Sequence, residues 1–263
     1  MRILVTNDDG IAAPGLWAIA AEASRTHEVF VVAPDREQSA IGTAVTLRQP
    51  LRVRQTEPQK PGIVAYSVEG SPSDSVILSL EKLVKERVDL VISGINQGAN
   101  LGDDVLISGT VGAALQGYLR NLPSIAISIA TIENRHLDIA ARLAALLATK
   151  IDNRVLPRDI FLNVNLPDLP LSEIKGIRIT QLAHKTHIDS VNEGHDGRRE
   201  YYWLVRRRLS QEVDPRTDIW AIENGYISIN ALHASLFGKP PLERPEKLCA
   251  ELMKELTQWQ MAI

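Results

Sequence analysis

Short apolar runs of strand length alternate with amphipathic segments along most of the chain. The runs are rich in Val, Ile and Leu, and apolar residues in the segments between them recur at helical spacing. This alternation is typical of βαβ units, in which helices cover a parallel sheet. The pattern predicts strands at 3–6, 29–33, 63–68, 88–93, 124–130 and 160–164, two further short strands within 43–55, and helices at 16–24, from 72, from 110 and at 134–148.

A different pattern begins after residue 167. The connections there are long and polar, and the predicted strands are 177–182, 200–206 and 226–229. A final helix is predicted over 245–261, where leucines recur at helical spacing. We therefore predict an α/β fold with a Rossmann-like, mostly parallel sheet flanked by helices, followed by a C-terminal β extension and a terminal helix. Residues 1–167 form the predicted core, and residues 168–263 form the extension. The apolar stripe of the terminal helix needs a partner surface, which lies either on its own subunit or on another one, and we expect the extension to act as an oligomerisation arm.

Composition and charge narrow the class of protein. The 263 residues are enough for one large α/β domain or for a domain with an extension. The net charge of -3 gives no global basic field, so we expect no stable nucleic-acid partner. Binding of a free mononucleotide is compatible with this charge. The single cysteine, Cys249, excludes an intramolecular disulfide and a cysteine-rich zinc site. Neither a membrane-spanning apolar run nor a signal-peptide pattern is present, so we expect no membrane association and a cytoplasmic location.

An acidic pair directly follows the first predicted strand. Asp8 and Asp9 lie in the sequence Asn7-Asp8-Asp9-Gly10, at the strand end where open parallel sheets carry their functional crevice. Two adjacent carboxylates near a strand end repel each other unless a cation compensates their charge, and a hard divalent metal does so directly. The same residues are also good turn formers, so a plain turn is the alternative.

Polar loops also follow two later strands. Ser39 comes after the second strand, and the glycine-rich segment 93–100 comes after the strand at 88–93. Because these strand ends share one edge of the sheet, the Ser39 hydroxyl and the amide of Asn96 or Asn100 can reach a common ion or a phosphate. Carboxylates with neutral oxygen ligands favour Mg²⁺ or Mn²⁺ over Zn²⁺. The alternatives are a solvated loop capped by Ser39, and a tight turn or dinucleotide loop at 93–100, although the first βα turn lacks Gly-x-Gly-x-x-Gly.

Small residues open the helix predicted from residue 110. Ser108, Gly109 and Thr110 offer backbone amides and hydroxyl groups at the positive end of a helix dipole, which favours an anion. Taken alone, the run is explained by a plain helix cap with small residues for close packing. Beside a predicted metal crevice, phosphate becomes the better explanation. The nearby pair Asp103-Asp104 is interpreted as structural or solvated.

Taken together and in order, these motifs resemble the SurE family, the survival-protein nucleotidases. The resemblance covers essentially the whole chain. It is carried by the segments 3–10, 33–39, 70–76, 93–100 and 108–112, and later by Thr217-Asp218 and 225–229.

The resemblance implies a metal-dependent phosphatase that hydrolyses nucleoside monophosphates through a metal-activated water, as a 5′-nucleotidase and with 3′-nucleotides left open. It also implies one divalent ion per subunit, Mg²⁺ or Mn²⁺, and a C-terminal arm exchanged between subunits of a homodimer or homotetramer. By matching position, the implied metal ligands are Asp8, Asp9, Ser39 and Asn96, with Asp8 and Asp9 as the catalytic residues. The implied substrate and phosphate contacts are Asn96, Gly98, Asn100, Ser108, Gly109 and Thr110.

Two other functions share these features. A metal-dependent sugar-nucleotide transferase also needs an acidic metal site on an α/β core, but it yields a transferred sugar in place of free phosphate. A non-catalytic nucleotide-binding protein would bind nucleotide without turnover when Mg²⁺ or Mn²⁺ is supplied. For the phosphatase itself, attack by an aspartate to give an aspartyl-phosphate is the rival to attack by water.

Overall fold

The computed structural model describes residues 1–131, 133, 136–184, 187–208 and 214–233 of the chain. Residues Met1–Leu232 form one compact unit and His233–Ile263 form a second, of which only His233 is described. The helix predicted over 245–261 lies outside the described residues. None of the described helices is long and apolar enough to cross a membrane.

The described residues contain eleven strands and five α-helices. The strands are β1 (Arg2–Thr6), β2 (Glu28–Pro34), β3 (Val53–Thr56), β4 (Val64–Val68), β5 (Leu90–Gln97), β6 (Ser124–Ile129), β7 (Phe161–Leu166), β8 (Ile177–Ile179), β9 (His187–His195), β10 (Glu200–Arg208) and β11 (Ile227–Ala231). The helices are α1 (Pro14–Ala23), α2 (Pro72–Leu78), α3 (Gly109–Tyr118), α4 (Leu137–Asp152) and α5 (Asp218–Glu223). A π-helical turn over Ser79–Leu83 continues α2, and a 3₁₀ helix covers Gly102–Leu106.

The main sheet has nine strands in the order β3-β4-β2-β1-β5-β6-β7-β11-β8. Its strands pair in parallel, except for β3 with β4 and β11 with β7. β9 and β10 form a separate antiparallel hairpin. The chain passes from β1 to β2 on one side and later returns to β5 on the other, so the end of β1 is the topological switch point of the sheet. In open α/β sheets this is where ligands bind.

Helices cover both faces of the sheet because successive side chains of β1 point to opposite sides. Ile3 and Val5 belong to the same core cluster as Leu16 of α1, whereas Leu4 belongs to the cluster that contains Val76 of α2. Burial of each such aliphatic side chain contributes about 1.5–3 kcal/mol. The central strand is therefore apolar on both faces, and the predicted α/β fold class is confirmed.

The prediction of two short strands within 43–55 is wrong in part, since only β3 forms. The preceding segment is bound to the start of α2. The backbone N–H and the hydroxyl of Thr46 donate to the carboxylate of Asp74, at 2.9 and 2.6 Å, and the Ser71 hydroxyl donates to the carbonyl of Ala44 at 2.6 Å. These contacts give the backbone N–H of Thr46 and the carbonyl of Ala44 partners without a neighbouring strand.

After residue 167 the chain contributes β8 and β11 to the main sheet, while β10 pairs with β9. Neither β9 nor α5 is predicted by the pattern. The sequence of β9 is mostly polar, and α5 has only six residues, which is too short for helical periodicity to show. The proposed boundary at residue 167 stays a prediction.

Candidate active site

Asp8 lies at the end of β1 against the start of α3. Its side chain is buried, and the Thr110 hydroxyl donates to Oδ1 of Asp8 at 2.5 Å. The backbone N–H of Thr110 also bonds to this carboxylate, and both bonds lower its pKa, although burial is the larger effect and raises it. A Cβ atom on Gly109 would lie 2.8 Å from Cβ and 2.9 Å from Oδ2 of Asp8. Only glycine at position 109 lets the helix end approach the carboxylate this closely.

Asp9 carries an incompletely compensated charge. Burial and the neighbouring charge of Asp8 raise the pKa of Asp9 to about 7, and a hydrogen bond from the backbone of Gln97 offsets this only in part. Within the part of the chain that the structure describes, Oδ2 of Asp9 is buried without a hydrogen-bond partner. Such an atom is costly unless something outside the protein binds it.

The donor set around Asp8 and Asp9 fits a hard divalent cation. Two adjacent carboxylates with raised pKa values, one of them with an unpartnered oxygen, lack the positive charge that a cation provides. Among the described residues, no group of three or more His, Cys, Asp or Glu side chains is placed to hold a metal ion. The further ligands predicted from the sequence, Ser39 and Asn96, would supply neutral oxygens.

The loop that carries Ser39 packs against Asp8. The backbone N–H of Gln38 donates to the carbonyl of Asp8 at 2.7 Å. The Ser39 side chain is exposed, and its hydroxyl donates to Oε1 of Glu37 at 2.5 Å. The charge of Glu37 raises the pKa of both Asp8 and Asp9, so it adds to the negative potential here. Sequence reasoning missed Glu37 because it lies in an ordinary polar loop.

Asn96 lies at the same edge of the sheet because β5 extends to Gln97. A register shift between Ser93 and Asn96 interrupts the pairing of β5 with β6, and β5 runs on to Gln97, whose backbone bonds to Asp9. The side-chain amide nitrogen of Asn96 donates to the carbonyl of Gly98 at 2.6 Å. This bond involves the amide nitrogen of Asn96. Its amide oxygen, the atom that can ligate a hard metal ion, is not used in this bond.

Asn100 is bonded to the two strands on the far side of β5. Its backbone N–H donates to Oδ1 of Asn165 at 2.8 Å, and its side-chain amide donates to the hydroxyl of Ser128 at 2.9 Å. Its carbonyl accepts from the amides of Asn163 and Asn165. These bonds give Asn100 a structural role, and its predicted contact with substrate stays a prediction.

The start of α3 combines capping with support of Asp8. The Ser108 hydroxyl accepts from the backbone N–H of Val111 at 3.2 Å, so Ser108 is the N-cap residue of the helix. The backbone N–H of Thr110 bonds to Asp8. The helix dipole therefore acts on a carboxylate of the protein itself, and phosphate binding by Ser108, Gly109 and Thr110 stays a prediction.

Asp218 ties the segment before α3 to the C-terminal part of the sheet. Its fully buried carboxylate accepts from the backbone N–H groups of Gly102 at 2.8 Å, Ala183 at 3.0 Å and Ile219 at 2.9 Å. Burial raises its pKa, and the three hydrogen bonds oppose that shift. Apart from the Thr217-Asp218 segment of the family resemblance, the sequence does not indicate this role, because Gly102 and Ala183 are distant from Asp218 in the chain.

Comparison with known proteins places the chain in a family. The family model described as "Survival protein SurE" matches residues 3–189, which is well over half of the chain. The chain belongs to the SurE family. Its predicted resemblance to that family is therefore confirmed.

Relatives in the SurE family cover nearly the whole chain. A protein named 5′-nucleotidase SurE from Dehalococcoides mccartyi strain CBDB1 is 65% identical over 242 residues, 91% of each chain. Another of that name, from Alkalilimnicola ehrlichii, is 44% identical over 237 residues, 90% of each chain. The crystal structure of the SurE protein from Aquifex aeolicus superposes with a TM-score of 0.77 at 34% identity and covers 90% of this chain and 95% of that one.

Proposed function

We propose that this protein is a metal-dependent phosphatase that hydrolyses nucleoside 5′-monophosphates to nucleoside and inorganic phosphate. Membership of the SurE family and the relatives named 5′-nucleotidase support this activity. The observation that assigns this activity to particular residues is the arrangement of Asp8 and Asp9. These carboxylates lie at the switch point of the sheet, and one of their buried oxygens has no hydrogen-bond partner among the described residues.

Asp8, Asp9, Ser39 and Asn96 would hold one divalent ion, Mg²⁺ or Mn²⁺. Such an ion, when bound, neutralises the two carboxylates, polarises phosphoryl oxygens and acidifies water. The Thr110 hydroxyl fixes the Asp8 carboxylate through its bond to Oδ1. Asp8 or Asp9 would orient the water that attacks phosphorus in line.

Ser108, Gly109 and Thr110 would bind the phosphate of the substrate at the start of α3, and Gly98 and Asn96 would line its other side. Support comes from the close approach of position 109 to Asp8, which brings the positive end of the helix to the proposed reaction centre. In this arrangement the phosphate lies between the helix end and the strand ends. The nucleoside would then point away from the sheet.

We also propose that the protein is cytoplasmic and assembles as a homodimer or homotetramer. Four consecutive residues of β10, Tyr201 to Leu204, expose large apolar side chains, and exposed surfaces of this kind mark interfaces. Light scattering tests the assembly. A monodisperse particle near the chain mass of 29.0 kDa at micromolar concentration would contradict it.

Phosphate release from a panel of nucleoside monophosphates, with and without Mg²⁺ or Mn²⁺, tests the activity. We expect release only with metal and reversible loss of activity on chelation. Product analysis separates the competing functions, since a sugar-nucleotide transferase would transfer sugar and a binding protein would release nothing. A phosphate yield independent of added metal after chelation would contradict the proposal.

A further inference from the structure

A cleft of about 710 Å³ opens beside the proposed active site, and the proposed mechanism leaves it without a role. We call it the loop cleft. It lies between the loop that follows β2, the segment leading to β3 and the start of α2. Its lining includes Arg36, Gln38, Ile41, Val45, Gln49 and Arg52. Its volume is within the range of small-molecule sites in proteins.

The loop cleft is separated from Asp8 by one stretch of backbone. Gln38 lines the cleft, and its backbone N–H donates to the carbonyl of Asp8 at 2.7 Å. The Gln38 carbonyl would lie 3.2 Å from a Cβ on Gly109. Ser39, a proposed metal ligand, is the next residue. A substrate with its phosphate at the start of α3 would have to pass over this loop to place its base in the cleft.

The chemistry of the lining fits an uncharged, hydrogen-bonding group. The cleft has two arginines, Arg36 and Arg52, and two carboxylates, Asp35 and Glu69, so its formal charge is zero. Arg52 already pairs with Glu69 at 3.3 Å. This balance disfavours a second phosphate, which would need excess positive charge.

The lining of the loop cleft combines polar and aliphatic residues. Gln38 and Gln49 each offer an amide donor and an amide acceptor, while Ile41, Val45 and Pro50 offer aliphatic contacts. The polar edge of a heteroaromatic base needs the first kind of partner, and the flat face of the base can pack on the second. The lining thus has both kinds of contact that a nucleobase requires.

Part of the wall of the loop cleft is held against α2 by hydrogen bonds. Thr46 donates twice to Asp74, and Ser71 bonds to the carbonyl of Ala44, which ties the loop to the first turn of α2. A wall held in this way loses little conformational entropy on binding. The cleft is therefore suited to specific binding of a small ligand.

We propose that the loop cleft binds the base of the nucleotide substrate, an inference that rests on the proposed nucleotidase function. Val45→Trp tests it by filling the cleft with a bulky side chain. Val64→Trp on β4 is the matched control, because Val64 is 39% exposed and Val45 is 40% exposed, and Val64 is not part of the cleft lining. The substrates are AMP and ribose 5-phosphate, which has the same phosphate ester on ribose but lacks the base.

We expect Val45→Trp to raise KM for AMP at least about tenfold, equivalent to about 1.4 kcal/mol of lost binding, and to leave kcat/KM for ribose 5-phosphate within about twofold. Val64→Trp should leave KM for AMP and kcat/KM for ribose 5-phosphate unchanged. An unchanged KM for AMP, or an equal rise for both substrates, would overturn the inference. If the wild-type protein releases no metal-dependent phosphate from either substrate, the proposed function itself has failed, which is a different result.

A second measurement uses the wild-type protein and is independent of how the variant folds. Adenosine, which has no phosphate, should slow amide hydrogen exchange in the segment 41–50 more than elsewhere in the chain. Protection confined to other segments would contradict the proposed place of the base.

Discussion

Asp9 and Asp218 are both acidic residues whose pKa values are raised by burial, yet their surroundings differ. Oδ1 of Asp218 accepts from Ala183 and Ile219, and its Oδ2 accepts from Gly102. Oδ2 of Asp9 is buried without a partner among the described residues. Asp218 is therefore satisfied by the protein alone, whereas Asp9 requires something that the protein does not supply.

This difference shows that burial alone does not identify a functional carboxylate. A buried carboxylate with a full set of backbone donors stabilises a junction between segments. A buried carboxylate beside a second one, with an oxygen left over, indicates a cation site. Removing the charge at each position should accordingly affect different properties, activity at Asp9 and stability at Asp218.

The largest effect is expected from Asp9→Asn on phosphate release. Bound metal stabilises the transition state by several kcal/mol, so weakening its site should lower kcat/KM by about 10²- to 10³-fold. Asp218→Asn, measured in the same assay with saturating Mn²⁺, should keep most of its turnover. Comparable losses of kcat/KM in the two variants would show that the two carboxylates do not differ in function.

Asp218→Asn should instead lower the free energy of unfolding. The new amide can direct its NH₂ group at a backbone N–H, which leaves a buried donor without an acceptor and costs about 1–3 kcal/mol. Urea denaturation of the metal-free proteins measures this effect. In the same titration Asp9→Asn should be as stable as the wild type or more stable, since it removes an uncompensated charge. Wild-type stability in Asp218→Asn would show that its three hydrogen bonds contribute little.

Gly109→Ala should weaken metal binding without removing any ligand. Its Cβ would press on Asp8 at 2.8 Å, and overpacking of this kind costs about 1–3 kcal/mol, so Kd for Mn²⁺ should rise about tenfold. Gly117→Ala, in the same helix, is the matched control because its Cβ would meet Ser124 and Val91. Both variants should lose stability, but only Gly109→Ala should lose metal affinity. Equal Mn²⁺ affinity in the two variants would refute the role of position 109.

Without any substitution, the stability of the metal-free protein should depend on pH. The pKa of Asp9 is about 7 in the folded state and 3.8 as the reference value, so the folded state binds more protons between these values. Its contribution to stability is fully present below about pH 3.8 and is lost as pH rises through about 7. Asp8 and Asp218 shift in the same direction, so Asp9→Asn should reduce the slope without abolishing it. Urea midpoints at pH 5 and pH 7.5 in the presence of a chelator measure it, and an identical slope in Asp9→Asn would contradict the assignment.

Most of the core could be predicted because its strands are buried on both faces and its helices carry regular apolar spacing. Prediction of secondary structure failed where contacts with distant parts of the chain overrode the local sequence pattern. The segment around Thr46 is predicted as a strand, but hydrogen bonds to Asp74 hold it in another conformation. The strand β9 pairs with β10 through backbone hydrogen bonds, and its mostly polar sequence gives no pattern from which a strand could be predicted.

The candidate site was predictable to the extent that strand ends concentrate polar residues. Asp8 and Asp9 follow directly from that pattern. The bond from Thr110 to Asp8 and the charge of Glu37 depend on how α3 and the loop after β2 fold back on β1. No spacing in the sequence encodes these contacts, because their partners are brought together only by the tertiary fold.

Direct binding of Mn²⁺ at pH 7.5 tests the central claim, that Asp8 and Asp9 form a cation site completed by an ion. Calorimetric titration should give one ion per chain for the wild type, the same affinity for Asp218→Asn, and at least about tenfold weaker binding for Asp9→Asn, since one ligand charge is lost. Equal affinity for Mn²⁺ in the wild type and in Asp9→Asn would contradict the account.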